Sequence, residues 1–263
     1  SVFPDEPITI PGAETGSQDW EPKNYDGKYE GLITLRTALY KSKNMVSIRL
    51  LRAIGPGFAQ SYITRFGFDP DKHPPYLTMA LGAGSVTPWQ QLVAYSVFAN
   101  GGYRVQPYIV RRILDENGGV LAQFDPPVAG DETLRVIDAR NAYIMDGMMR
   151  DVTRRGTAAR AGQVLKRYDI AGKTGTTNDS IDAWFCGYQA TVVAITWMGF
   201  DQPKSLGDRE TGGGAALPIW IRYMEKALKN VPESYLEKPD GLTPITATDP
   251  VSGSPVQELI YGE

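Results

Sequence analysis

The chain of 263 residues, 42% hydrophobic and 22% charged, is long enough to bury a sizeable core in one large domain or two small ones. Its formal net charge of −3 and pI near 5.4, with basic residues gathered only in pairs such as Arg111-Arg112 and Arg154-Arg155, argue against nucleic acid as a partner, and no apolar run reaches the roughly 18 residues of a membrane span. A single Cys186 and a single His73 exclude an internal disulfide, a cysteine-built metal site and a histidine metal pair, so no metal or cofactor is expected and lysine or carboxylate is the expected base.

Residues 1–30 are rich in Pro, Gly, Asp and Glu and show no sustained period, which predicts an extended lead-in with at most a short strand at Ile8-Thr9-Ile10. So much uncommitted chain ahead of the first regular element points to a sequence that begins in the middle of something larger. From Gly31 the pattern turns helical through Leu32, Leu35 and Leu39, with Thr34 as a candidate N-cap, and it stops at Lys41-Ser42-Lys43-Asn44. A second helical stripe of Met45, Ile48 and Leu51 ends at Gly55-Pro56-Gly57, and Phe58 to Phe66 makes a third short helix closed by Gly67. The first two helices therefore meet at a tight polar corner with Ser42, Lys43 and Asn44 at its vertex. Two readings of this corner are open and compatible. Asn44 can simply start the second helix; or Ser42 and Asn44 project into a cleft, Ser42 passing a proton and Asn44 gripping a peptide amide, with Lys43 turned inward as an anchor.

Thr87-Pro88-Trp89-Gln90 is a strong helix start, and that helix runs to Asn100 before Gly101-Gly102. Tyr103 to Leu114 and Val120 to Phe124, joined by Asn117-Gly118-Gly119, predict a projecting hairpin. Ile137 to Arg155 is the longest helical pattern, capped by Asp138 and stopped by Gly156, and Thr157-Ala158-Ala159-Arg160 follows as a short helical or turn element.

Ile170 to Asn178, Ile-Ala-Gly-Lys-Thr-Gly-Thr-Thr-Asn, concentrates an amine, three hydroxyls and two glycines in one predicted strand. Alternation sends Lys173 and Gly175 to one face and Thr174 and Thr176 to the other. Gly172 and Gly175 clear space for a substrate backbone to pair along the strand, while Lys173 and the threonine hydroxyls can hold a carboxylate. A bare Lys-Thr-Gly also fits a glycine-flanked hairpin edge with a solvated lysine. Strands at Ala183 to Gly187 and Thr191 to Met198 complete an antiparallel set, Gly212-Gly213-Gly214 reads as a flexible loop, and Leu217 to Leu228 as a final amphipathic helix. The expected fold class is α+β: an antiparallel β-sheet flanked by helices plus a helical subdomain. One domain spans 1–235, with the lead-in at 1–30, the helical part at 31–100 and 137–160, and the sheet and terminal helix at 168–230. Residues 236–263 are expected to be an irregular tail.

Ser42-Lys43-Asn44 at a helix corner together with Lys173-Thr174-Gly175 on a strand matches two of the three motifs of penicillin-recognising serine enzymes. With Ala80 to Pro88, Phe98-Ala99-Asn100-Gly101-Gly102, Ile170 to Asn178 and Asp182-Ala183-Trp184-Phe185, the chain resembles the transpeptidase domain of bifunctional class A penicillin-binding proteins of the 1A type. The resemblance implies an enzyme whose serine attacks the D-Ala-D-Ala end of a peptidoglycan stem peptide, an acyl-enzyme resolved by a neighbouring stem's amine, and β-lactams as covalent inhibitors. It implies that Ser42 relays a proton to the leaving amine, that Asn44 binds the acyl-side amide and that Lys173 supplies positive potential. Thr174 and Thr176 would hold the substrate carboxylate beside Gly175, the Thr176 N–H completing an oxyanion hole. It also implies a place at the periplasmic face of the bacterial inner membrane.

The family's nucleophile is the serine of a Ser-x-x-Lys motif upstream of this corner, and no Ser-x-x-Lys occurs in the chain. Ser42 is no substitute, because Met45 and Val46 stand one helical turn on, where a lysine base would be needed. The nucleophile is therefore expected on an upstream segment of the same protein, and the chain alone is expected to be inactive. The rival readings are a serine β-lactamase, for which no motif identifies a water-activating base, and a penicillin-sensing or catalytically inactive binding module.

Overall fold

The computed structural model describes residues 1–262, and its centre is a three-stranded antiparallel sheet ordered β5 (Ala171–Thr176), β6 (Ala183–Gln189), β7 (Val192–Met198). Alternation along β6 sorts its two faces. Ala183 and Phe185 face α8 (Leu217–Ala227), where Phe185 meets Trp220 edge-to-face at 4.9 Å within a core that includes Leu217, Ile221 and Met224. Tyr188 faces the other way, into a core with Ala171, Ala99 of α5 (Pro88–Ala99) and Met149 of α6 (Ala139–Arg155). A sheet sandwiched between helices buries both of its faces, which is why β6 is almost wholly buried. This is the α+β architecture expected from the sequence, with the antiparallel sheet flanked by helices.

The helical part follows its capping signals. Thr34 caps α2 (Leu35–Lys41) by accepting the Thr37 N–H, and Thr87 and Gln90 form a reciprocal capping box at the start of α5. Asp138 caps α6 by accepting the Arg140 N–H. Between α2 and α5 lie α3 (Asn44–Ile54) and α4 (Pro56–Ile63), and α7 (Ala159–Leu165) follows α6. His73 packs edge-on against Phe68 at 5.5 Å, and burial lowers its pKa; it is a packing residue of the loop before α5.

Five expectations need correction. Gly31–Thr34 is not helical but a strand, β2, which pairs antiparallel with β1 (Val2–Asp5), so the strand of the lead-in lies at residues 2–5 and Ile10 contributes only an isolated bridge to Trp20. A single turn of helix, α1 (Gly12–Thr15), interrupts that segment. The projecting hairpin is shorter than its pattern, β3 (Arg112–Leu114) and β4 (Val120–Gln123), because nothing among the described residues covers either strand and every residue of both is exposed. Gly212-Gly213-Gly214 is an ordered π-helical turn at Gly212–Ala216 rather than a flexible loop. Finally, the tail is not irregular: β8 (Leu242–Thr248) and β9 (Pro255–Tyr261) pair over seven residues each, and Arg36 of α2 binds Glu258 through both guanidinium arms at 2.8 and 2.9 Å.

Candidate active site

The corner between α2 and α3 is built by an unusual backbone. Ser42 terminates α2 in the left-handed region at φ 57°, its N–H donating back to the Ala38 and Leu39 carbonyls. A non-glycine residue there costs on the order of 1–2 kcal/mol, so something must hold it. Lys43 does so. Its side chain is 1% exposed, and its Nζ donates to Asp26 Oδ2 at 2.9 Å and to the Lys28 carbonyl at 3.1 Å, with Glu30 at 3.3 Å and Asp5 at 3.6 Å. Burial alone would lower the Lys43 pKa, but these carboxylates outweigh it and raise it. The lead-in segment thus wraps beneath the corner and supplies the anchor's partners.

Asn44 is the first residue of α3, and Lys43, at the N-cap position, makes no capping bond with its side chain. The Asn44 carboxamide instead donates to the Lys23 carbonyl at 2.8 Å, a second tie to the lead-in.

On β5 the register pairs Lys173 with Cys186 and Thr174 with Phe185, so the lysine and the threonines occupy opposite faces. Lys173 Nζ lies 2.7 Å from Ser42 Oγ, although 131 residues separate them, and also donates to the Thr174 carbonyl at 3.0 Å. Burial pushes the Lys173 ammonium down to about 8, the Cys186 thiol acting in the opposite direction, and burial pushes that thiol up to about 12. At neutral pH the lysine is therefore a partly desolvated cation that faces a neutral thiol.

Across the strand, Thr176 Oγ1 accepts the Gly212 N–H at 3.0 Å, and Thr174 Oγ1 lies 2.7 Å from Thr157 Oγ1. Gly212 is required at its position: a Cβ there would stand 2.3 Å from the Trp184 carbonyl oxygen and 2.4 Å from that of Gly175. Gly212→Ala is expected to push the turn off β5 and to destabilise the domain by about 1–3 kcal/mol, read as a lower melting temperature. Gly175 keeps the strand smooth opposite Trp184, where a Cβ would be tight at 3.2 Å. The β5–β6 connection is closed by Thr177, whose hydroxyl accepts the Asp182 N–H at 2.8 Å, and Asp182 in turn accepts Trp197 Nε1–H at 2.7 Å.

Of the six site candidates, Ser42 and Lys173 are in contact, Thr174, Gly175 and Thr176 lie on the same edge strand, and Asn44 adjoins the Ser42 corner. Sequence reasoning missed the hydroxyl partnership of Thr157 and the backbone donor of Gly212. Gly156-Thr157 directly after a helix stop was the available signal for the first. β5 is the open edge of the sheet, so an extended peptide can add to it as a further strand beside a hydroxyl, a cation and two threonines.

The chain is 54% identical over 242 residues to penicillin-binding protein 1A of Neisseria lactamica, covering 92% of this chain and 30% of that protein, so it spans under a third of that relative's length. The crystal structure of penicillin-binding protein 1A from Haemophilus influenzae superposes with a TM-score of 0.92 at 33% identity, covering 99% of this chain and 44% of that one. The PonA1 protein of Mycobacterium tuberculosis, solved in complex with penicillin V, shares the fold at a TM-score of 0.72 and 23% identity over 90% of this chain and 66% of its own. Since residues 1–225 match the penicillin binding protein transpeptidase domain model, a stretch that holds both the corner and the edge strand, the chain belongs to that family.

Proposed function

We propose that this chain forms the larger part of the active site of a serine-type D-Ala-D-Ala transpeptidase that crosslinks peptidoglycan stem peptides and is acylated by β-lactams. The observation that carries the reading is the 2.7 Å contact between Lys173 Nζ and Ser42 Oγ. Because the ammonium donates to Ser42 Oγ, the Ser42 proton is free to point into the groove. A serine supplied by a segment outside this chain attacks the carbonyl of the penultimate D-Ala while the lysine base of the same Ser-x-x-Lys motif takes its proton. The C–N bond breaks, and the terminal D-Ala leaves as an amine that takes its proton from Ser42, which is reprotonated in turn by that lysine. An amine of a second stem then attacks the ester, its proton travelling back to the serine oxygen as the C–O bond breaks, so that the new amide forms and the serine is released. Asn44 steadies the acyl-side amide, Thr174 and Thr176 hold the terminal carboxylate, and the Thr176 N–H faces the developing oxyanion, a donor of a kind worth roughly 3 kcal/mol of barrier.

The absence of any Ser-x-x-Lys from the sequence supports an external nucleophile. We place the whole protein at the periplasmic face of the inner membrane, held by a segment outside this chain; no helix among the described residues is long and apolar enough to cross a membrane.

A labelled-penicillin gel tests the assignment. Label is expected only when the preceding segment is present, and then on that segment; label on residues 1–263 alone would overturn it. Slow release of the bound penicillin and crosslinking of lipid-linked substrate separate a synthase from a β-lactamase and from a sensor. The acylation rate also carries a pH signature. Lys173 acts as a cation, and its folded pKa lies near 8 rather than the 10.5 of a free lysine, so the rate is expected to fall as pH rises through about 8. A rate that stays level to pH 10 would remove the ammonium from the mechanism.

A further inference from the structure

Thr157 has no role in the reading above, yet its hydroxyl is in direct contact with a threonine of the edge strand. Its position is set by backbone. The Thr157 N–H donates to the Tyr40 carbonyl at 3.1 Å, and a Cβ on the preceding Gly156 would stand 2.3 Å from that same oxygen, so only glycine lets the chain come this close. The Thr157 side chain is exposed, as a group that meets a ligand must be. Gly213 lies alongside: a Cβ there would sit 3.3 Å from the Thr157 carbonyl oxygen and 3.9 Å from Thr174 Cγ2.

We propose that Thr157 is a positioning residue for the substrate's terminal carboxylate, acting through Thr174 and selecting a free carboxylate over a neutral end group. This rests on the reading of the groove as the site of a D-Ala-D-Ala end. A threonine hydroxyl carries one proton and two lone pairs, so within the 2.7 Å pair one oxygen donates and the other accepts. A carboxylate can only accept. When it binds, the Thr174 proton turns to it and the Thr174 oxygen takes the Thr157 proton. Thr176 is already set in this way, since the Gly212 N–H occupies its oxygen and leaves its proton for the groove. Both strand threonines thus have a donor behind them, one a backbone N–H and one a side chain, and both present protons forward. Such a cradle fits an anion, and removing the donor behind Thr174 frees that hydroxyl to turn its lone pair toward the ligand instead.

The test uses the polypeptide that carries the complete domain, with Thr157→Val and Thr157→Ser, and compares acylation by a labelled penicillin with acylation by the methyl ester of the same penicillin. Thr157→Val is expected to slow the carboxylate ligand by about tenfold, the upper end of the range for a hydrogen bond between neutral groups, while leaving the ester rate at its wild-type value. Thr157→Ser is expected to stay close to wild type on both. Equal slowing of both ligands by Thr157→Val would reduce Thr157 to a structural residue, and an unchanged rate for the carboxylate ligand would overturn the inference outright. A wild-type protein that neither ligand acylates would overturn the transpeptidase reading itself, and this inference with it.

Discussion

Replacing Lys173 by methionine is expected to slow acylation of the complete domain by penicillin about 10²- to 10³-fold, the loss typical of removing one preorganised charge or donor from a transition state. The expected cost in stability runs the other way. Methionine matches the length of the lysine stem and needs no hydration, whereas burial has pushed the Lys173 ammonium down to about 8, a sign that the folded protein disfavours its charge. The variant should therefore melt at or above the wild-type temperature while losing activity, the trade expected of a group kept for function. Stopped-flow acylation together with thermal melting checks both halves. A rate within threefold of wild type would remove Lys173 from the chemistry, and a collapse in melting temperature would make it a structural residue instead.

The parts of the molecule that were legible in the sequence are those whose determinants are local. Thr34, Thr87 and Asp138 cap helices through bonds reaching two or three residues onward, and each can be read from its own turn. The strand at Ala171–Thr176 announces itself by its glycines and hydroxyls, and alternation alone separates Lys173 from Thr174. What stayed hidden depends on partners far along the chain. Gly31–Thr34 has helix-compatible spacing but is drawn into a strand by Val2–Asp5, and only the pairing decides between the two. The final hairpin contains Pro244 and begins its second strand at Pro255, both of which count against a strand locally; Arg36 reaches across 222 residues to hold it. The same limit concealed the Lys43 cluster, whose carboxylates are scattered through a lead-in that has no period.

That cluster sets the second large effect: Lys43→Met is expected to destabilise the complete domain by about 3–5 kcal/mol, the cost of breaking a buried ion pair by deleting one partner. Asp5 is fully buried, and although it keeps the Asn24 amide and the Glu30 N–H, Lys43 is its cation. Asp26 and Glu30 are more exposed and lose less. The deficit should depend on pH with a definite sign. Burial raises the pKa values of Asp26 and Glu30, but both are held below their ordinary values, Asp26 by Lys43 and the Lys28 N–H, Glu30 by Lys41 first and Lys43 second. The stabilisation they contribute is thus present above the ordinary carboxylate range and is lost as pH falls through their folded values. Wild type should accordingly weaken on acidification, and the gap between wild type and Lys43→Met should narrow from pH 7 toward pH 3, because protonation removes the charges that the lysine was there to balance. Thermal melting across that range reads both the gap and its slope. Because the same anchor offsets the left-handed backbone at Ser42, the folded fraction of the variant should also acylate slowly even at pH 7, its hydroxyl no longer held against Lys173. A variant melting within about 3 °C of wild type at neutral pH would show that the lead-in merely lies beside the corner and does not build it.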